Sequence, residues 1–348
     1  MKIKASVNGK MDIVVVGASA GGVTALQQLV ANIPEDFLGS IFVVLHIPAH
    51  SPSNLPSILS AAGRLTAVHP KNGQIIKPGK IYVAPPDHHM LLHEKKILVT
   101  KGPKENRFRP SIDALFRSAA YTYGNRVIGV ILSGVLNDGT SGLWSIERLG
   151  GLTIIQDPKE ASHPEMPLNV LEYVKVKHQL PVKDISALIA RSSGINIATK
   201  KRRPVRELEL MELELKIAIR DNAFEMGIMQ MGELTPFTCP ECNGVLIQLI
   251  EGKLIRFRCH TGHAYTASAL LGDLSRSVED KLWQCMRGLE ETSILLTKIN
   301  EHFKKLGHRK AASLFARKAL STREKARIIH DSIFHHQIIS EDLRYLED

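Results

Sequence analysis

An α/β fold with a parallel sheet wrapped by helices is predicted for residues 12–192 of this 348-residue chain, and three observations predict it. Apolar, β-branched runs at 13–16, 41–45, 81–84, 127–132 and 152–156 read as strands buried on both faces. Stretches of helical composition at 23–33, 53–62, 111–124 and 140–149 alternate with them, as crossover connections require. Gly17-Ala18-Ser19-Ala20-Gly21-Gly22 follows the first run at once and turns strand into helix. A hairpin through 90–92 and 96–100, turning at His93-Glu94, completes this part.

Two chemistries want small residues at a strand-to-helix turn: phosphate binding on a helix N-terminus, and an elbow that lifts a serine above the sheet. A dinucleotide fingerprint needs glycine where Ser19 stands and an acid after the next strand, which instead ends in His46. A Walker loop would need Gly-Lys-Ser/Thr, which is absent. Gly17, Ser19 and Gly21 fit the Gly-x-Ser-x-Gly elbow, with Ser19 either nucleophile or cap of the helix that follows.

Composition narrows the setting. The apolar fraction is 44%, and no run approaches the ~18 residues that span a bilayer. Asp12 interrupts the apolar stretch behind the first lysines, so a buried strand is expected there and not a secretion signal. Three of the four cysteines have metal-ligand spacing, which points to a reducing cytoplasm. The net charge of +10 favours acidic partners without choosing among protein, membrane face and nucleic acid.

The character changes after Ser192. Residues 193–206 form a basic linker containing Lys200-Lys201-Arg202-Arg203, best read as a solvated tether. Residues 207–235 form a helical connector; within it, 207–215 alternate Glu and Leu, a strand-like pattern of strong helix formers, read here as helix. Cys239-x2-Cys242, sixteen residues, then Cys259-x3-His263 is a ligand set for tetrahedral structural zinc, with His260 an alternative fourth ligand. Residues 244–258 read as a ribbon hairpin turning at Gly252, making 236–266 a zinc-ribbon module. Residues 267–348 read as long helices that turn at Gly307-His308. A 4-3 seam of Val278, Leu282, Cys285, Leu289, Thr292, Leu296, Ile299 and Phe303 suits a helical hairpin, or a coiled coil that would join copies, with Cys285 a small core residue.

A nucleophilic serine needs a base and a carboxylate to orient it. His46 ends the strand next in sequence to that of Ser19, with His50, His69, His88, His89 and His93 as competitors among 15 histidines. Asp138 lies in Ser133-Gly134-Val135-Leu136-Asn137-Asp138-Gly139, also just past a strand, where it could equally cap the next helix. Asp87 and Asp113 are the other carboxylates, Asp113 reading as first-turn charge behind a Ser111 cap.

Five ordered motifs recur together: the Gly17–Gly22 turn, Val-Val-Leu-His46-Ile-Pro, Ile-Tyr-Val-Ala-Pro-Pro-Asp87-His-His-Met, Arg109-Pro-Ser-Ile-Asp-Ala-Leu-Phe, and Leu-Ser-Gly-Val-Leu-Asn-Asp138-Gly. Together they resemble the catalytic domain of the chemotaxis protein-glutamate methylesterases (CheB-type), over residues 11–192. The resemblance implies a doubly wound three-layer domain and a Ser19-His46-Asp138 triad that hydrolyses methyl esters of glutamate in chemoreceptors, without a catalytic cofactor. It also implies that some members deamidate receptor glutamines. Amides of Ala20, Gly21, Gly134, Val135 and Asn137 would hold the oxyanion. Ala20 replaces the family's polar residue, and Gly134-Val135-Leu136 replaces Gly-Met-Gly. With the first strand at Ile13, no receiver domain is expected ahead of it, so regulation is expected from the C-terminal part or a partner. The rival readings are a non-catalytic scaffold that binds partners through its tail and, behind it, a nucleic-acid-binding regulator.

Overall fold

The computed structural model describes residues 9–10, 12–197, 205–220 and 223–335. In chain order the first region carries β1 (Ile13–Ala18), α1 (Gly22–Ala31), β2 (Ser40–Leu45), α2 (Leu55–Ala62), β3 (Thr66–Val68) and β4 (Lys80–Val83). The hairpin β5 (His89–His93) and β6 (Lys96–Thr100) follows, then α3 (Ile112–Tyr123), β7 (Val127–Ile131) and α4 (Thr140–Arg148). It closes with β8 (Leu152–Gln156), α5 (Glu165–Tyr173), β9 (His178–Leu180) and α6 (Val182–Ser192). Seven strands form one parallel sheet in the order β9-β8-β7-β1-β2-β4-β3.

The period-2 pleat divides β1 between two cores. Val14, Val16 and Ala18 pack with Leu26, Leu29, Leu59, Ile185 and Ile189 from α1, α2 and α6. Ile13 and Val15 pack on the other face with Leu115, Phe116, Leu143 and Val170 from α3, α4 and α5. Burial on both faces is why these strands read as unbroken apolar runs. The edge strands β3 and β9 are three residues each, too short for their pattern to announce them.

Strand order reverses at β1, which has β2 on one side and β7 on the other. The chain leaves β1 and β7 in opposite directions, opening a crevice beyond their carboxyl ends where α/β sheets bind ligands. Ser19 follows β1, His46 follows β2, and residues 133–138 follow β7.

Helix α7 (Val205–Arg220) covers the expected 207–215 helix; half of the basic linker, residues 198–204, lies outside the described residues. Met211, Glu214, Leu215 and Ala218 are buried at i, i+3, i+4 and i+7, so helical period overrides the Glu-Leu alternation. Strands β10 (Glu233–Thr238), β11 (Val245–Glu251), β12 (Leu254–Cys259) and β13 (Ala264–Thr266) make an antiparallel sheet, with the β11–β12 hairpin turning at Gly252. This sheet and the parallel one lie in one compact unit, which ends at Ala269. Within it Glu105, Glu214 and Glu251 meet Arg117, Arg256 and Arg258, all six buried. Arg256 pairs with Glu214 at 2.6 Å and with Glu251, while Arg258 reaches Glu214 at 2.7 Å and Glu105 at 2.8 Å. Equal numbers of each charge let the cluster stay buried, but removing one member would leave an unpaired ion.

The second compact unit begins at Leu270 and contains most of α8 (Ala267–Lys305) and all of α9 (Arg309–His335), joined by a turn with Gly307 at φ 78°. Its seam corrects the expected one. Ser293 and Asn300 are buried where Thr292 and Ile299 were expected, and Cys285 is exposed. The cause lies on α9, whose buried residues Ala312, Ala319, Ala326 and Ile333 recur every seventh position and are mostly small. The close approach they allow lets the Ser293 hydroxyl donate to Ala319 O at 3.1 Å, while Leu282, Leu289, Leu296 and Phe303 of the expected seam are partly buried and Phe303 stacks on Phe315.

Candidate active site and Cys/His cluster

Local geometry makes the Gly17–Gly22 turn an elbow. The Ser19 amide donates to Ser133 O at 3.0 Å, and the Gly22 amide returns to Ser19 O at 2.9 Å. Helix α1 is capped by Gly21, at φ 71°, with no side-chain cap, so Ser19 does not serve as the helix cap. A Cβ on Gly21 would lie 2.8 Å from both Ser133 Oγ and Ser162 Cβ, beside His163. On the far wall a Cβ on Gly134 would lie 2.8 Å from Ser19 Cβ and 2.1 Å from Met166 Sδ. Glycine is required on both sides of Ser19.

His46 is carried to the elbow by the parallel pairing of β1 and β2, its amide donating to Ala18 O at 3.1 Å. Its Nε2 lies 2.9 Å from Asp138 Oδ2, and Phe108 stacks on the imidazole with centroids 3.5 Å apart. Nδ1 is buried and has no partner among the described residues. No hydrogen bond joins Ser19 Oγ to His46 among those residues. Contacts of this kind are often loose before substrate arrives.

Asp138 does not cap its own helix; Gly139 does. Instead it faces the N-terminus of α3, accepting from Ile112 N at 2.7 Å, Asp113 N at 3.3 Å and Ser111 Oγ at 3.0 Å. Asn106 Nδ2 donates to it at 3.0 Å. Burial alone would push the Asp138 carboxyl up, but His46, the Ile112 amide and Asn106 outweigh it and hold it below the usual carboxylate range. An ionised carboxylate can only accept, so the His46 contact places a proton on Nε2, and Nδ1 is the ring nitrogen left without a partner among the described residues. Asp113, whose Oδ1 accepts from the Gly139 and Gly142 amides, is pushed up to about 8 by burial and by the Asp138 charge.

The competitors are placed elsewhere. His69, His88 and His89 bind backbone carbonyls, His50 is exposed, and Asp87 pairs with Lys101 and Arg109. The Ala20 and Gly21 amides have no acceptor among the described residues, whereas the Gly134 amide donates to His163 O at 3.0 Å. Asn137 is buried, donating to Ser268 and accepting from Thr266 Oγ1 at 2.8 Å. Val135 and Leu136 are half-buried; Leu136, at φ 68°, is held through its carbonyl by Asn169 Nδ2 at 2.7 Å. Asn106, Phe108 and Ser133 had no signal as single residues in the sequence, because each acts through a contact distant along the chain.

The ligand atoms of Cys239, Cys242, Cys259 and His263 lie within 4.8 Å of one another. Cys242 Sγ is 3.7 Å from Cys259 Sγ, and His263 Nδ1 is 3.6 and 3.7 Å from the sulfurs of Cys259 and Cys239. A zinc tetrahedron with metal–sulfur bonds near 2.3 Å has edges of ~3.8 Å, so this donor set fits that ion. His260 is outside the cluster and packs over Gly244.

The CheB methylesterase family profile matches residues 14–189, which hold the elbow, His46 and Asp138. The chain belongs to that family. It is 35% identical over 187 residues to a putative protein-glutamate methylesterase/protein-glutamine glutaminase of Leptospira interrogans, covering 53% of this chain and 97% of that protein. It is 36% and 34% identical to the protein-glutamate methylesterase/protein-glutamine glutaminases of Caulobacter vibrioides (its number 2) and Thermotoga maritima. In each case 52% of this chain and 54% of the relative are covered. The crystal structure of the Thermotoga maritima CheB methylesterase catalytic domain matches with a TM-score of 0.50 and 32% identity, over 52% of this chain and 97% of that one. The matched family region stops short of the Cys/His sheet.

Proposed function

We propose that this CheB-family chain is a serine esterase that removes methyl groups from glutamyl methyl esters of a chemoreceptor-type protein, with Ser19 as nucleophile, His46 as base and Asp138 as orienting acid. One observation carries the reading: beside the serine elbow, a buried imidazole has one nitrogen held by an ionised carboxylate and the other left without a partner. Ser19 Oγ attacks the ester carbonyl as Nδ1 takes its proton, and Asp138 stabilises the imidazolium that forms. The Ala20 and Gly21 amides receive the oxyanion, each such donor being worth ~3 kcal/mol in comparable sites. The proton returns to the leaving methoxide, methanol departs, and water resolves the acyl-enzyme by the same steps. A glutamine amide would follow the same course with ammonia leaving.

The Cys/His cluster is proposed to hold one structural zinc through Cys239, Cys242, Cys259 and His263. Bound there, zinc would cross-link the β10–β11 and β12–β13 turns. Nothing among the described residues is a helix long and apolar enough to cross a membrane. The test of the esterase is fluorophosphonate labelling together with methanol release from a methylated receptor fragment. Both are expected from the wild type and neither from Ser19→Ala. Labelling without methanol would retain the serine hydrolase and remove the substrate.

A further inference from the structure

Between the hairpin β5–β6 and helix α3, residues 104–108 touch two of the three proposed catalytic residues, and the Cys/His sheet holds them in place. Asn106 is 4% exposed, and every polar atom of its side chain is used. Nδ2 donates to Asp138 Oδ1 at 3.0 Å and to Asp113 Oδ2 at 2.9 Å, while Oδ1 accepts from the Thr266 amide of β13 at 2.9 Å. Because Thr266 offers a donor, the amide oxygen must face the sheet and the NH2 must face the carboxylates. The backbone is bound from the same side. Asn106 N donates to Ala264 O at 2.8 Å, Ala264 N to Lys104 O at 3.2 Å, and Arg258 reaches Glu105 at 2.8 Å. Asn106 and Arg107 lie at φ 48° and 73°, a left-handed pair that persists only where its surroundings hold it. Two residues further on, Phe108 is stacked on His46.

We propose that Asn106 is a positioning residue for Asp138 and that the Cys/His sheet acts through it, so that the His46–Asp138 pair is set only while that sheet is folded. The proposal rests on the esterase reading for its meaning, not for its geometry. Arg258 directly precedes the cluster residue Cys259, and Ala264 directly follows His263. Closing the 259–263 turn on a metal therefore orders the two sheet residues that grip 105 and 106. Regulation would reach the triad through metal occupancy or through any partner that loosens this sheet.

The test uses the full chain as purified with zinc. Asn106→Gly keeps the left-handed backbone and its bond to Ala264 while deleting the amide. Three quantities are read: the rate of fluorophosphonate labelling of Ser19, the imidazole signals of His46 in 15N-histidine protein, and the thermal midpoint. The expected result is a roughly ten- to a hundredfold slower labelling rate with a displaced His46 signal. Removing zinc with a chelator is expected to displace the same signal, and zinc to restore it. An unchanged His46 signal in Asn106→Gly overturns the proposal, as does wild-type labelling. If chelation unfolds the whole unit, the Asn106→Gly arm decides alone. If the wild type is never labelled, the esterase reading fails while the His46 signal still tests whether the sheet sets the pair.

Discussion

His46 Nε2 and Asp138 Oδ2 are 2.9 Å apart although 92 residues separate them in the chain. Strands β2 and β7, which flank β1 in the parallel sheet, bring both to one sheet edge, where, despite burial, His46 and the Ile112 amide at the N-terminus of α3 hold the Asp138 carboxyl low. Asp138→Asn is expected to retain the fold and lower kcat about 10⁴-fold, because an amide in that place can present the wrong tautomer of His46. Methanol release and labelling rate measured on the variant, with circular dichroism as the control, check it. Activity within tenfold of wild type would remove Asp138 from the triad.

Gly134 should tolerate no side chain. Gly134→Ala places a methyl 2.1 Å from Met166 Sδ and 2.8 Å from Ser19 Cβ. A loss of about 1–3 kcal/mol in stability is expected, with a larger fall in labelling rate as Ser19 is displaced. Adding Met166→Ala should recover part of the stability and little of the rate, since the contact with Ser19 remains. Denaturant unfolding and labelling measured side by side separate the two effects.

The buried ion cluster makes stability depend on acid. Burial opposes ionisation of Glu214, but Arg117, Arg256 and Arg258 hold it down at about 2, against 4.5 for a free carboxyl. A lowered value means that the unfolded state binds more protons, so this contribution is present above pH 4.5 and lost as pH falls towards 2. Glu214→Gln is expected to cost about 3–5 kcal/mol at neutral pH and to weaken the pH dependence below 4.5. Urea midpoints from pH 3 to 7 measure both, and parallel curves for variant and wild type would refute the assignment.

Asp113 has the opposite sign. Burial and the Asp138 charge raise it to about 8, so the native state holds a proton that the unfolded state releases near pH 4. Stability is expected to decline as pH rises from about 4 to about 8, and Asp113→Asn to flatten that slope. Midpoints at pH 5 and 8.5 suffice, and an equal slope in both proteins would count against it.

Zinc and thiol chemistry should separate cleanly. One zinc per chain is expected, lost in Cys239→Ser and Cys242→Ser, with protein purified free of metal counting against the site. In the zinc-loaded protein a maleimide is expected to modify Cys285 alone, since it is exposed and the other three cysteines are cluster ligands. Mass spectrometry after brief labelling reads this directly.

Much of the fold was legible because its signals are local. Double-sided burial writes unbroken apolar runs at β1, β2, β7 and β8, and the turn chemistry at Gly252 and Gly307 stands in the sequence. Ser19, His46 and Asp138 were legible as residues at strand ends and as parts of five ordered motifs. Half of the α8 seam was legible, at Leu282, Leu289, Leu296 and Phe303, whereas burial at Ser293 and Asn300 in place of Thr292 and Ile299 answers to alanines on another helix. Asn106 was invisible for the same reason, since its four polar contacts reach α3, the loop after β7 and β13.

By itself, then, the sequence determined the strand and helix periods, the serine elbow and the spacing of a cluster of three cysteines and a histidine, all properties of short windows of chain. Tertiary structure alone decided through which atoms His46 and Asp138 meet, which nitrogen of His46 is left without a partner, and that Arg256 and Arg258 enter the core beside Glu105 and Glu214. These relationships join residues far apart in sequence. They exist only where packing brings charges out of water, so that each buried group must find a partner.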